Sequence, residues 1–188
     1  MAPELQAGLI GFTYYPGSML SRCIAWFSRF GRGQRPKVSH TLIITGPESC
    51  IEAHIRTGVQ HAALSKYLND PQCRFYWKKP KGLTPEMAAS IVSVGVSHIG
   101  DGYDSGLIFS ELLISSALGH SLNWLTLGWL ERYIASRLNS KSSEICSELV
   151  ALALGAQPWL TGLGILGEDM DTINPQELYD DEFIWEAK

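Results

Sequence analysis

The sequence predicts an α+β fold, and three features predict it. Short runs rich in β-branched and aromatic residues, GLIGFTYY (8–15), VSHTLIIT (38–45) and CRFYWKK (73–79), are bounded by turn-forming residues and read as strands. Segments with helical apolar spacing lie between and after them, among them TPEMAASIVSVGVSHIG (84–100) and SSEICSELVALALG (142–155). No repeat, low-complexity stretch or linker divides the 188 residues, so a single domain spanning 1–188 is expected.

The elements follow in order. Pro16-Gly17 ends the first strand. SMLSRCIAWFSRF (18–30) carries apolar residues at 20, 24, 27 and 30 and reads as an amphipathic helix, with GRGQRPK (31–37) a loop after it. VSHTLIIT reads as a buried strand, GPES turns the chain, and CIEAHI (50–55) returns as its hairpin partner. GVQHAALSKYL follows without a clear pattern, and CRFYWKK reads as a third strand. Thr84-Pro85-Glu86 is a cap followed by proline at the first helical position. GDGYDS (100–105) is a loop, and an apolar helical stretch fills 105–138. A helix opens near Cys146 and is expected to close with Gly155 just past its end. Asn174-Pro175-Gln176-Glu177 starts one more.

Composition excludes several function classes. The net charge is −4 and the one dense basic cluster, KKPK (78–81), is short, so no nucleic-acid partner is expected. None of the cysteines, Cys23, Cys50, Cys73 and Cys146, pairs at CxxC spacing, which argues against zinc, and four thiols in a chain this long do not make a disulfide scaffold. No metal and no cofactor is expected. Residues 112–130 lack any Asp, Glu, Lys or Arg, near the roughly 20 residues needed to span a bilayer. His120, Asn123, three serines and two glycines within that run favour buried helices, while a membrane or lipid contact stays open. The N-terminus has no basic n-region, so a cytoplasmic location is expected, with delivery by a non-classical route as the alternative.

Chemistry concentrates at Cys146. A helix start presents unpaired N–H groups and partial positive charge, which favour a thiolate and a developing oxyanion. Cys146 sits at such a start, whereas Cys23 is mid-helix and Cys50 and Cys73 begin strands. His40 is a titratable residue in a strand that should be buried, so it needs a partner or a task. Glu52 lies in the return strand between Ile51 and Ala53. Hairpin pairing brings His40 and Glu52 onto one face, and period two adds His54 to the same face, so either is eligible as the group that orients His40.

These residues lie in blocks that together resemble the circularly permuted NlpC-type papain-like cysteine peptidase and amidase superfamily. The blocks are GLIGF, VSHTLII, CIEAHIRTGVQHAALSKYL, GYDSG, CSELV and TINPQEL, the last with Asn174 where a Ser or Thr is usual, and they span roughly residues 8 to 180. The resemblance implies a permuted papain-like fold: an antiparallel sheet packed on helices, the thiol at a helix N-terminus. It implies Cys146 as nucleophile, His40 as general base and acid, Glu52 as the residue orienting His40, and Tyr103 lining the site. Asp104 would order the loop, and Ser39 would cap or pack beside the histidine. The implied activity is amide hydrolysis, with a cell-wall peptide as the commonest substrate and a phage enzyme or delivered antibacterial effector as its setting. Acyl transfer on lipids and a catalytically silent binding module are the alternatives. The oligomeric state is not legible.

Overall fold

The structure is a computed structural model, and it describes residues 5–19, 21–22, 25, 37–54, 57–102, 146–168 and 173–187. The expected helix at 18–30 lies largely outside these residues, as do Cys23, Tyr103, Asp104 and the apolar stretch at 105–138.

Five strands form one antiparallel sheet: β1 (Ile10–Tyr14), β2 (His40–Ile44), β3 (Ser49–His54), β4 (Gly58–Ala63) and β5 (Arg74–Lys78), in the order β4-β3-β2-β1-β5. The fold class is α+β. The GPES turn joins β2 to β3 as the sequence indicates, with Leu42 opposite Glu52 and Ile44 opposite Cys50. One feature differs from the sequence reading. GVQHAA forms an edge strand, β4, whose buried–exposed alternation is masked by its glycine, alanines and polar residues. The CRFYWKK strand is the fifth in chain order, and it pairs with β1 at the far edge of the sheet.

Period two divides the apolar residues between the two faces of the sheet. Ile10, Phe12, Ile43, Ile51, Ala53 and Val59 belong to the larger core. It is completed by Met87 and Ile91 of α2 (Pro85–Ser97) and by Leu149, Val150, Ala153 and Leu154 of α3 (Cys146–Gly155). Leu9, Leu42, Ile44 and Cys50 line the smaller core, closed by Leu5, Leu64 and Tyr67. Tyr67 comes from α1 (Ser65–Leu68), a single turn after β4.

The helix signals act as read at two of three places. Thr84 caps α2, its hydroxyl accepting the Met87 N–H, with Pro85 at the first helical position. Asn174 forms a full capping box with Glu177 at α4 (Pro175–Asp180). Gly155 is a correction: it is the last residue of α3, not a left-handed residue beyond it, and it is absent from the positive-φ glycines. The Gln157 amide folds back to donate to the Ala153 carbonyl at 3.0 Å, and Ala156 N–H reaches Leu152 O at 3.0 Å. The helix end is thus closed without a left-handed glycine.

The C-terminal segment locks the strand that carries His40. Gln176 of α4 accepts the Val38 N–H at 3.1 Å, two residues before the histidine. Phe12 packs edge-on between the rings of Tyr179 and Trp185, at 5.0 and 5.7 Å. Among the described residues no helix is long and apolar enough to cross a membrane.

Candidate active site

The site begins where β2 begins. Thr13 stands opposite His40, and Ser39 N–H also donates to Thr13 O at 2.9 Å. His40, the first residue of β2, and Ser39 just before it therefore both answer Thr13 of β1, a bulge-like arrangement of the kind that re-aims side chains. Ser39 packs its hydroxyl against that of Ser21 and against Thr13 O, so it anchors the bulge.

From this position His40 meets two partners. Its Nε2 lies 3.3 Å from Oε2 of Glu52. Its other neighbour is Cys146, whose thiol acts on the imidazole electrostatically. The structure thus brings together Cys146, His40 and Glu52. Nδ1 of His54 lies 3.4 Å from the Thr57 hydroxyl.

Cys146 is the first helical residue of α3 and is 3 % exposed. Helix α3 packs on the face of the sheet that carries Thr41 and Ile43, whereas alternation puts His40 with Leu42 and Ile44 on the other. The β2–β3 pairing runs from Ile44–Cys50 to Leu42–Glu52, and His40 lies beyond its end. Thr41 fixes the approach: its hydroxyl donates to the Cys146 carbonyl at 2.6 Å, and its backbone N–H bears on the sulfur. Nothing in the sequence marked Thr41 beyond its place next to the histidine.

Electrostatics favour the charged form of each group. Burial alone would push the His40 pKa down, but the charge and hydrogen bond of Cys146, followed by those of Glu52, outweigh it and hold the imidazolium to about 9. Burial likewise opposes the Cys146 thiolate, yet the His40 charge and hydrogen bond and the Thr41 contacts set its pKa below that of an ordinary thiol. The remaining described thiols are the reverse. Burial, then the Glu52 charge, pushes Cys50 up to about 12, and burial raises Cys73.

Glu52 is wholly buried and fully partnered. Oε1 accepts from Lys66 Nζ at 2.7 Å and Gln60 Nε2 at 3.0 Å, while Oε2 accepts from the Tyr67 hydroxyl and faces His40. Desolvation disfavours its charge, but the His40 and Lys66 interactions and the Gln60 bond prevail and draw its pKa to about 2. Gln60, Lys66 and Tyr67 escaped the sequence reading. The available signal was the carboxylate itself: a buried charge requires donors, and GVQHAALSKYL is the segment that follows it.

Among the described residues no group of three His, Cys, Asp or Glu side chains is placed to hold a metal ion. Compared with family models, curated proteins and solved structures, the chain matches none.

Proposed function

We propose that the protein is a cysteine hydrolase that cleaves an amide bond with Cys146 as nucleophile, His40 as general base and acid, and Glu52 as the group orienting His40. The observation that carries this reading is one imidazole held between a helix-start thiol and a buried carboxylate. The permuted papain-like resemblance of the sequence blocks supports the same roles and points to a cell-wall peptide as substrate.

The Cys146 thiolate attacks the amide carbonyl, forming the C–S bond while the carbonyl electron pair moves to oxygen. The amides of the α3 start, that of Cys146 included, face the position where this oxyanion develops. His40 gives its proton to the leaving nitrogen as the C–N bond breaks, leaving a thioester. The neutral imidazole then takes a proton from water, hydroxide adds to the thioester, and the acid leaves as the thiolate and imidazolium are restored. Glu52 keeps its charge throughout and orients the ring. The lipid alternative depends on residues 105–138, outside the described residues, and no described feature favours it.

The test has two parts. The pH dependence of carboxymethylation by iodoacetate, read per cysteine by peptide mass spectrometry, should show Cys146 alone reacting fast in mildly acidic solution. Incubation with purified cell-wall muropeptides should release new amino groups with wild-type protein and none with Cys146→Ala. Cys146 reactivity indistinguishable from that of Cys50 and Cys73 overturns the enzyme reading, and fast Cys146 without amine release overturns the substrate.

A further inference from the structure

Glu52 carries more donors than an orienting carboxylate needs. Two come from consecutive residues of a helix only four residues long: Lys66 reaches Oε1 and Tyr67 reaches Oε2. Lys66 also lies over the Tyr67 ring at 5.0 Å, and the Tyr67 and His40 rings are 6.2 Å apart. The two residues differ in setting: Lys66 keeps 43 % of its side-chain exposure, and Tyr67 keeps 3 %. An isolated turn this short has no stability of its own, so its conformation follows from what its side chains hold.

We propose that Lys66 and Tyr67 are positioning residues for the reaction, a clamp on the two oxygens of Glu52 that leaves Oε2 directed at Nε2 of His40. The proposal rests on the hydrolase reading and adds to it two residues of α1, Lys66 and Tyr67, to which the sequence blocks gave no role. Without the clamp a buried carboxylate with free rotation would trade His40 for any nearer donor. Gln60 from β4 binds Oε1 alone and cannot fix both oxygens. The groups that face Glu52 are His40 from β2, Gln60 from β4, Lys66 and Tyr67 from α1, Cys50 from its own strand, and Tyr15 after β1.

The clamp predicts a pH signature. Iodoacetate is an anion, so its reaction with Cys146 rises as the thiolate forms and falls when His40 loses its proton, giving a bell. Tyr67→Phe releases Oε2, the imidazolium loses support, the thiol gains a proton more readily, and the bell narrows from both sides. Lys66→Met removes one oxygen's holder and a positive charge, so the rising limb moves to higher pH, whereas Lys66→Arg retains the wild-type limb. If Tyr67 only competes with His40 for Oε2, its removal strengthens the His40 bond and the bell widens instead.

The experiment is the iodoacetate profile of Cys146 in the full chain for wild type, His40→Ala, Tyr67→Phe, Lys66→Met and Lys66→Arg, each checked for native circular dichroism. A bell in wild type that His40→Ala abolishes, with the narrowing and limb shift just described, supports the clamp. A Tyr67→Phe or Lys66→Met profile that overlays wild type or widens overturns it while leaving the hydrolase reading intact. A wild-type profile without a His40-dependent bell removes the hydrolase reading and the clamp with it.

Discussion

Nε2 of His40 faces Oε2 of Glu52 at 3.3 Å, and this contact sets a buried negative charge against the imidazole. A carboxylate in that place stabilises the ring when it is protonated at both nitrogens.

The thiolate–imidazolium pair, once formed, is expected to persist up to the pH at which His40 deprotonates, about 9. His40→Ala removes the cation and leaves the thiolate with burial against it. The Cys146 reaction rate with iodoacetate near pH 6 should then fall by about tenfold or more, since unassisted thiols titrate near ~8.5. Per-residue mass spectrometry of alkylated peptides gives the answer directly.

Thr41→Val keeps the shape of the side chain and removes the hydroxyl that donates to the Cys146 carbonyl. The start of α3 loses an anchor and the sulfur one of its supports. The rising limb of Cys146 alkylation should move to higher pH, at a stability cost of about 1 kcal/mol by denaturant titration.

Glu52→Ala strands four donors around a buried site: His40, Gln60, Lys66 and Tyr67. Breaking a buried charge pair by deleting one partner costs about 3–5 kcal/mol. His54 is half-buried rather than enclosed, with its Nδ1 on the Thr57 hydroxyl, and His54→Ala should cost far less stability and far less Cys146 reactivity. The opposite ranking in urea titration and alkylation would remove Glu52 from the site.

Stability should depend on pH at the acid end. Glu52 titrates at about 2 rather than 4.5, so its contribution is fully present above 4.5 and is lost as pH falls toward 2. His40 and Cys146 shift in opposite directions and hold one proton between them folded or unfolded, so their linkages offset through neutral pH. Urea midpoints should therefore fall as pH drops from 4.5 toward 2, with Glu52→Gln flattening that slope.

Gly58→Ala should destabilise by about 2–4 kcal/mol, because φ is +72° and a Cβ there would lie 2.0 Å from the Asp101 carbonyl oxygen. That oxygen accepts the Val59 N–H, so the shift would loosen the edge of β4 beside Gln60. Thermal unfolding of this variant is the check.

The sequence carried the elements whose cause is local. Alternation and β-branching in VSHTLIIT and CIEAHI, with GPES between them, specify a hairpin, and that hairpin alone places His40 and Glu52 on one face. Thr84 and Asn174 announce their helices because a cap is a property of four adjacent residues. What escaped depends on distant partners. β4 is a strand because β3 offers it a ladder, not because Gly58, Ala62 and Ala63 favour one. Lys66 and Tyr67 meet Glu52 only once that ladder has set α1 over the smaller core. Thr41 matters because a helix more than a hundred residues later stops against it.

The bulk of this site is a neighbourhood affair. His40 and Glu52 are 12 residues apart, Lys66 and Glu52 14, Tyr67 and Glu52 15, whereas Thr41 and Cys146 are 105 apart. Contacts between near neighbours close cheaply and early, while a long loop must surrender its entropy before its ends gain anything. His40, Glu52 and the donors around them are therefore expected to come together before Cys146 arrives. A chain trapped short of that closure should show Cys146 no more reactive toward iodoacetate than Cys50 or Cys73.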